Sequence, residues 1–177
     1  MPGVLATGTA AEDVTVTPAV AQIMECIMQV ASARGATQSR LVAGPRDAAS
    51  RAARTCYDHL ADRLGVALAE ALVEGGRVEL TSDGGMVTKA GVAFFGRIGI
   101  DLDVLATRSG RRSARVLCRP CLDWSERRPH LAGAIGAVLC AHCFGKDWIR
   151  RNNGTRAVTI TPKGRHAFRD EFNMRLE

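Results

Sequence analysis

Apolar residues recur at helical spacing near the start of the chain and predict its first helix. Thr17 followed by Pro18 is typical of a helix start, because threonine caps the first turn and proline is tolerated at its first position. The apolar stripe that follows predicts an amphipathic helix closing at Gly35. We expect a second subunit to cover this stripe, although packing on its own chain is the alternative. The predicted dimer contacts are Ile23, Met24, Ile27 and Met28.

An internal repeat begins at Arg54. The strings HLADRLG at 59–65 and HLAGAIG at 130–136 align, and each is predicted to open a long helix. A β-hairpin is predicted after each helix, followed by a threonine that caps a further short helix. The order helix, hairpin, helix resembles the back half of a winged helix. The predicted fold is therefore α+β and mainly α, with two winged-helix-like repeats preceded by an amphipathic dimerisation helix.

These patterns divide the chain into four parts. Residues 1–12 are small and aperiodic, and we expect a disordered tail there. Residues 13–35 are predicted to hold a short strand and the dimerisation helix, and residues 36–53 a linker. Residues 54–177 form the predicted tandem winged-helix-like domain, for which an effector or dimerising role is expected.

The composition is that of an ordinary globular domain. The chain has 177 residues, 46% of them hydrophobic, and a net charge of +6, which excludes a collagen and wholesale disorder. Its longest uncharged apolar stretch is far shorter than the roughly 20 residues that a membrane span needs. The first residues lack the basic start of a secretory signal, so we expect a cytoplasmic protein with no membrane partner.

Positive charge is concentrated in the second predicted hairpin. Its side chains are donors of the kind that bind phosphate, whereas the first hairpin carries Asp83 at its tip. We expect any DNA binding to be weak and to use this second hairpin; the alternative is that both copies serve only as a regulatory or dimer scaffold. The predicted DNA-binding residues are Arg150, Arg151, Asn152, Asn153 and Arg156.

Two long strings carry a family resemblance. RTCYDHLADRLGVAL at 54–68 and CRPCLDWSERRPHLA at 118–132 resemble the C-terminal region of ArsR-type winged helix-turn-helix transcriptional regulators of bacteria. The resemblance runs from about Val14 to Phe172. It implies a homodimeric regulator of this type, or its dimerising and sensing region without the N-terminal DNA-reading head, which binds DNA or a partner regulator. Metal sensing is not implied, because the paired cysteines of the best-known sensors lie in the head that we expect to be missing.

The cysteines allow several metal sites. Two Cys-x2-Cys pairs, at 118/121 and 140/143, have a spacing found in zinc sites. The repeat aligns the second pair with Ala69 and Leu72, on the apolar side of a helix, which favours packing for that pair. We predict that a metal, if bound, is zinc, and that a helical spacing of three places Cys56 and His59 on one face as a chelate. The predicted ligands are Cys56, His59, Cys118 and Cys121, and the alternative ligands are His130, Cys140 and Cys143.

Other chemistry has less support in the sequence. Cys118-x2-Cys121 has the spacing of a thiol redox motif, but no βαβ pattern surrounds it. No phosphate-binding glycine loop or nucleophile elbow is present, so we do not expect an enzyme. Three function classes remain: a transcriptional regulator, a zinc-stabilised structural or protein-interaction module, and a thiol redox sensor. Cysteines that only pack, and histidines that only form hydrogen bonds, also remain open.

Overall fold

The computed structural model describes residues 51–82, 84–102, 104–105 and 116–176, together with Val20, Ile23, Met24 and Ile27. The four separate residues are helical, in agreement with the predicted first helix. The predicted tail at 1–12, most of 13–35, and residues 36–50 of the predicted linker lie outside the described residues, as do Met28 and Asp83.

Two copies of one element order follow each other along the described chain. The first copy comprises β1 (Arg54–Cys56), β2 (His59–Ala61), α1 (Asp62–Glu74), β3 (Val78–Leu80), β4 (Gly85–Val87) and α2 (Lys89–Arg97). The second comprises β5 (Arg119–Leu122), β6 (Pro129–Ala132), α3 (Gly133–Gly145), β7 (Ile149–Arg151), β8 (Val158–Ile160) and α4 (Pro162–Phe172). The fold is α+β, and the described strands pair as small antiparallel hairpins.

Each copy begins with a hairpin that the sequence pattern did not predict. His59 and His130 were expected to open helices, and this expectation is wrong, since both residues lie in strands and the helices begin at Asp62 and Gly133. The cause is a sharp backbone turn at the junction, where Asp62 has φ 56° and Gly133 has φ 84°. The His-Leu-Ala strands are buried on both faces, so they lack the alternation that identifies a half-exposed strand.

The predicted threonine caps are confirmed. The Thr88 side chain accepts a hydrogen bond from the Gly91 N–H at 3.0 Å, and Thr161 accepts one from the Gly164 N–H at 2.9 Å. Each bond satisfies one of the free N–H groups of a helix start, so α2 and α4 begin at defined residues. The start of the short helix that follows the second hairpin of each copy is therefore stabilised by a neighbouring side chain.

The two copies exchange contacts. Helix α1 packs against β6 of the second copy, and α3 packs against β2 of the first. Two glycines permit this approach: a Cβ on Gly136 would lie 3.3 Å from the His59 Cβ, and one on Gly65 would lie 3.5 Å from the His130 Cβ. The two histidines are 71 residues apart, as are the two glycines. The copies are therefore related by an approximate two-fold arrangement around one buried core.

Strand β1 also contacts the second copy, at the end of the hairpin β7–β8 where its two strands are joined by the turn. The Thr55 N–H donates to the Arg156 carbonyl at 2.9 Å, and the Val158 N–H donates to the Ala53 carbonyl at 3.0 Å. An isolated bridge joins Arg54 and Ala157 between these two bonds. The hairpin β1–β2 is therefore hydrogen-bonded to the turn end of the hairpin β7–β8.

No helix in the part of the chain that the structure describes is long and apolar enough to cross a membrane.

We predict that Gly136→Ala destabilises the fold, because its Cβ would lie 2.5 Å from the Leu131 carbonyl oxygen as well as against His59. Forced overpacking of this kind costs about 1–3 kcal/mol, measurable as a lower urea midpoint. Gly145→Ala, at the end of the same helix, is the control, since its Cβ would meet nothing within 4 Å. Equal stability of the two variants would contradict the close packing around Gly136.

Candidate metal centre

The first hairpin of each copy places a cysteine directly opposite a histidine. Cys56 pairs with His59 across β1 and β2, and Cys121 pairs with His130 across β5 and β6. Directly opposed residues of an antiparallel pair project from the same face of the sheet. The predicted juxtaposition of Cys56 and His59 is therefore present, but its predicted cause is wrong, because strand register and not helical spacing produces it.

The two Cys–His pairs meet between the copies. One ligand atom from each of Cys56, His59, Cys121 and His130 lies within 4.8 Å of every other. The two histidine Nε2 atoms are 3.1 Å apart, and all of these side chains are buried except that of Cys56, which is half-buried. A tetrahedral ion with bonds of about 2.0–2.3 Å would separate its ligand atoms by about 3.3–3.8 Å. We call these four residues the Cys/His cluster, and it could hold a metal ion.

A carboxylate lies behind each histidine. His59 Nδ1 is 3.2 Å from Asp58 Oδ1, and His130 Nδ1 is 3.4 Å from Asp123 Oδ2. Because a carboxylate accepts hydrogen bonds, these contacts favour a ring proton on Nδ1, through a hydrogen bond at His59 and a longer polar contact at His130. The lone pair of each Nε2 is then directed into the cluster. Metal-ligating histidines are oriented by the same carboxylate contact.

Asp123 is held rigidly as an anion. It accepts hydrogen bonds from the backbone N–H groups of Asp62 at 2.7 Å, Ser125 at 2.9 Å and Glu126 at 3.1 Å. Burial raises the pKa of Asp123, but the polar contact with His130 and the hydrogen bonds from the backbone at Asp62 and Glu126 outweigh burial and hold it well below its usual range. The carboxylate that orients His130 is therefore fixed in both position and charge.

Arg54 connects this carboxylate to the first copy. Its guanidinium forms an ion pair with Asp62, and its Nη2 lies 3.7 Å from Asp123 Oδ2. Burial raises the pKa of Asp62, although hydrogen bonding from Ser125 and the charge of Arg54 act against this rise. Both carboxylates are fully buried, so the arginine compensates negative charge that water does not reach. No motif spacing links these residues, and only the fold brings them together.

The thiols of the described residues differ in their ionisation. Hydrogen bonding from Cys121, and then from His130 and His59, outweighs burial and holds the pKa of Cys56 far below its usual value. Burial raises the pKa of Cys118 and of Cys140 to about 11, and it raises that of Cys143 further. The thiolate is the form that binds metal. The environment of Cys56 therefore favours a metal ligand, whereas the environments of Cys118, Cys140 and Cys143 favour neutral thiols.

The structure brings together three of the four predicted ligands. His130, which was predicted as an alternative ligand, completes the cluster in place of Cys118. The Cys118 side chain packs instead beside Gly85 of β4, where its Sγ would lie 2.8 Å from an added Cβ. The other two alternatives, Cys140 and Cys143, are buried in the apolar core, as their alignment with Ala69 and Leu72 suggests.

The predicted DNA-binding residues lie on the hairpin β7–β8 and the turn at 152–157. Arg150, Arg151, Asn153 and Arg156 are exposed, and Asn152 is half-buried. Arg150 donates two hydrogen bonds to Asp147, at 2.7 and 2.8 Å, and the Arg151 guanidinium lies 4.6 Å from the centre of the Phe144 ring. The hairpin therefore presents cations to solvent, although Asp147 compensates part of the charge.

Comparison with known proteins gives one informative relative. The chain is 41% identical over 124 residues to a Bacillus subtilis (strain 168) protein described as the uncharacterized HTH-type transcriptional regulator YdfF. The match covers 70% of this chain and 53% of YdfF, so the chain spans about half the length of this relative. No family model matches the chain, and no solved structure matches it. The chain is thus homologous to part of an HTH-type transcriptional regulator.

Proposed function

We propose that this chain acts in bacterial transcription regulation, as a regulator of ArsR type or as the dimerising and sensing region of one. The observation that carries the proposal is the 41% identity with an HTH-type regulator over 124 residues. The helix, hairpin, helix order of each copy supports a winged-helix origin. The protein acts by binding rather than by catalysis, in the cytoplasm where its nucleic-acid partner is found.

The hairpin β7–β8 is the proposed DNA contact. Its exposed arginines can neutralise phosphates without reading bases, as the ribbon of a winged helix does. Any phosphate that binds Arg150 must compete with Asp147. Contacts of this kind supply affinity without sequence information. We therefore expect the binding to be weak, non-specific and strongly dependent on salt.

Replacing Arg150, Arg151 and Arg156 together with alanine is expected to abolish retention on DNA. The wild type should bind with a dissociation constant of roughly 10⁻⁴–10⁻⁶ M at physiological salt, weakening steeply as salt rises, which fluorescence anisotropy with a labelled duplex can measure. The matched control replaces the exposed arginines Arg63, Arg97 and Arg169, which removes the same charge elsewhere. Equal loss in both triple variants, or tight sequence-specific binding by the wild type, would contradict a contact at this hairpin.

A second copy of the chain is the proposed partner of the first helix. Val20, Ile23, Met24 and Ile27 are exposed and repeat at helical spacing, so they form one apolar stripe. Helix-turn-helix proteins commonly bind two-fold half-sites as dimers, and an i, i+3, i+4, i+7 stripe matches the seam between paired helices. The stripe therefore supports a homodimer.

Replacing both Ile23 and Ile27 with aspartate should convert the dimer to monomers, because these side chains are 58% and 62% exposed in the single chain and would be buried in the dimer. Sedimentation velocity at micromolar concentration measures the change. The control replaces Met86 and Val92, which are exposed on the first copy, with aspartate and should remain dimeric. A wild type that is already monomeric would refute the assignment.

A metal-stabilised structural or interaction module is the second candidate function. The convergence of Cys and His from both copies favours it. It is compatible with the first candidate, since a regulator can contain a stabilising metal. A redox pair of Cys118 and Cys121 has no comparable support, because burial raises the pKa of Cys118 to about 11.

A further inference from the structure

We infer that the Cys/His cluster is a closed site for one zinc ion per chain, and that this ion joins the two copies. The inference does not depend on DNA binding or on dimerisation. It depends on the geometry of Cys56, His59, Cys121 and His130 and on the carboxylates behind the two histidines.

The facing histidines are placed to share a cation between them. In the tautomer that the two carboxylates favour, both Nε2 atoms present lone pairs, and these atoms are 3.1 Å apart in a buried environment. Two lone pairs at this distance repel each other unless a proton or a metal ion lies between them. A proton would satisfy only the two nitrogens. A metal ion would also use the two cysteine sulfurs that lie within 4.8 Å.

The donor set selects the metal. Calcium and magnesium require oxygen ligands, whereas two sulfurs and two imidazole nitrogens in a compact group fit tetrahedral zinc. Two thiolates contribute two negative charges, so a divalent ion leaves the ligand set neutral, while monovalent copper would leave a buried net charge. A two-iron cluster would bind the two sulfurs to one iron and the two nitrogens to the other, which would hold the two kinds of donor apart. Here all four donor atoms lie within 4.8 Å of one another.

The site is closed and shared. Four protein ligands complete a tetrahedral ion and leave no position for substrate, which is the arrangement of a structural zinc. Each copy contributes one cysteine and one histidine, so the ion would link the hairpin β1–β2 to the hairpin β5–β6. Ligands that converge only in the folded chain make metal binding contribute directly to folding.

Strand β1 extends the effect of the ion to the turn end of the hairpin β7–β8. Cys56 follows Thr55, whose N–H is bonded to the Arg156 carbonyl, and Ala53 accepts from the Val158 N–H. A metal that fixes Cys56 therefore also holds β1 against β8. Removing zinc should loosen both the cluster and these two backbone bonds.

Metal content of the full chain, purified under reducing conditions, tests the site. We expect about one zinc per chain in the wild type and in Cys140→Ala, because alanine already stands at the equivalent position Ala69. Cys121→Ala makes the same substitution at a ligand of the cluster and should reduce the zinc content to background. Cobalt substitution of the wild type should give the visible bands of a tetrahedral thiolate site. A wild type without zinc or a cobalt spectrum, or full zinc in Cys121→Ala, would overturn the inference.

A second measurement on the wild type keeps the test independent of variant folding. A strong zinc chelator should expose Cys56 and Cys121 to a thiol reagent and speed amide exchange at Thr55 and Val158, and added zinc should reverse both effects. Thiol labelling and exchange rates that the chelator leaves unchanged would overturn the inference. Loss of DNA retention alone would count only against the proposed regulator function.

Discussion

The approach of His59 and His130 to 3.1 Å is the contact on which the arrangement of the two copies depends. Two buried imidazoles can come this close only where the surrounding backbone leaves space, and Gly65 of α1 and Gly136 of α3 supply it next to His130 and His59. The same approach places each long helix on the other copy's hairpin. It also brings the two cross-strand cysteines next to the histidines. The core and the candidate metal centre are therefore consequences of one close contact.

The two copies share one backbone arrangement but differ in the side chains that they place on it. Where the second copy turns into its helix at Gly133, the first uses Asp62 in the same left-handed conformation, which is strained for a residue with a side chain. That side chain pairs with Arg54, and the Asp62 N–H holds Asp123 behind His130. His59 is backed by the partly exposed Asp58. The second copy also carries the basic hairpin, so the repeat combines a shared core with specialised surfaces.

The sequence predicted the parts of this structure that depend on local signals. The repeated HLA-x3-G strings, the apolar spacing of the two long helices and the threonine caps all follow from neighbouring residues. The opening hairpins were missed because His59–Ala61 and Pro129–Ala132 are short and largely buried, and a buried run has no distinctive period. His130 could not be chosen over Cys118, because the partner of Cys121 depends on the length of the turn between β5 and β6. The network of Arg54, Asp62 and Asp123 joins residues of both copies and has no local signal.

X-ray absorption at the zinc edge of the purified full chain tests the account most directly, because it measures the atoms bound to the metal. Two cross-strand Cys–His pairs predict a first shell of two sulfurs at about 2.3 Å and two nitrogens at about 2.0–2.1 Å. A shell of four sulfurs would exclude both histidines as ligands and contradict a metal shared by the two Cys–His pairs. A shell of nitrogen and oxygen alone would show that the metal is bound elsewhere and that the histidines meet without it.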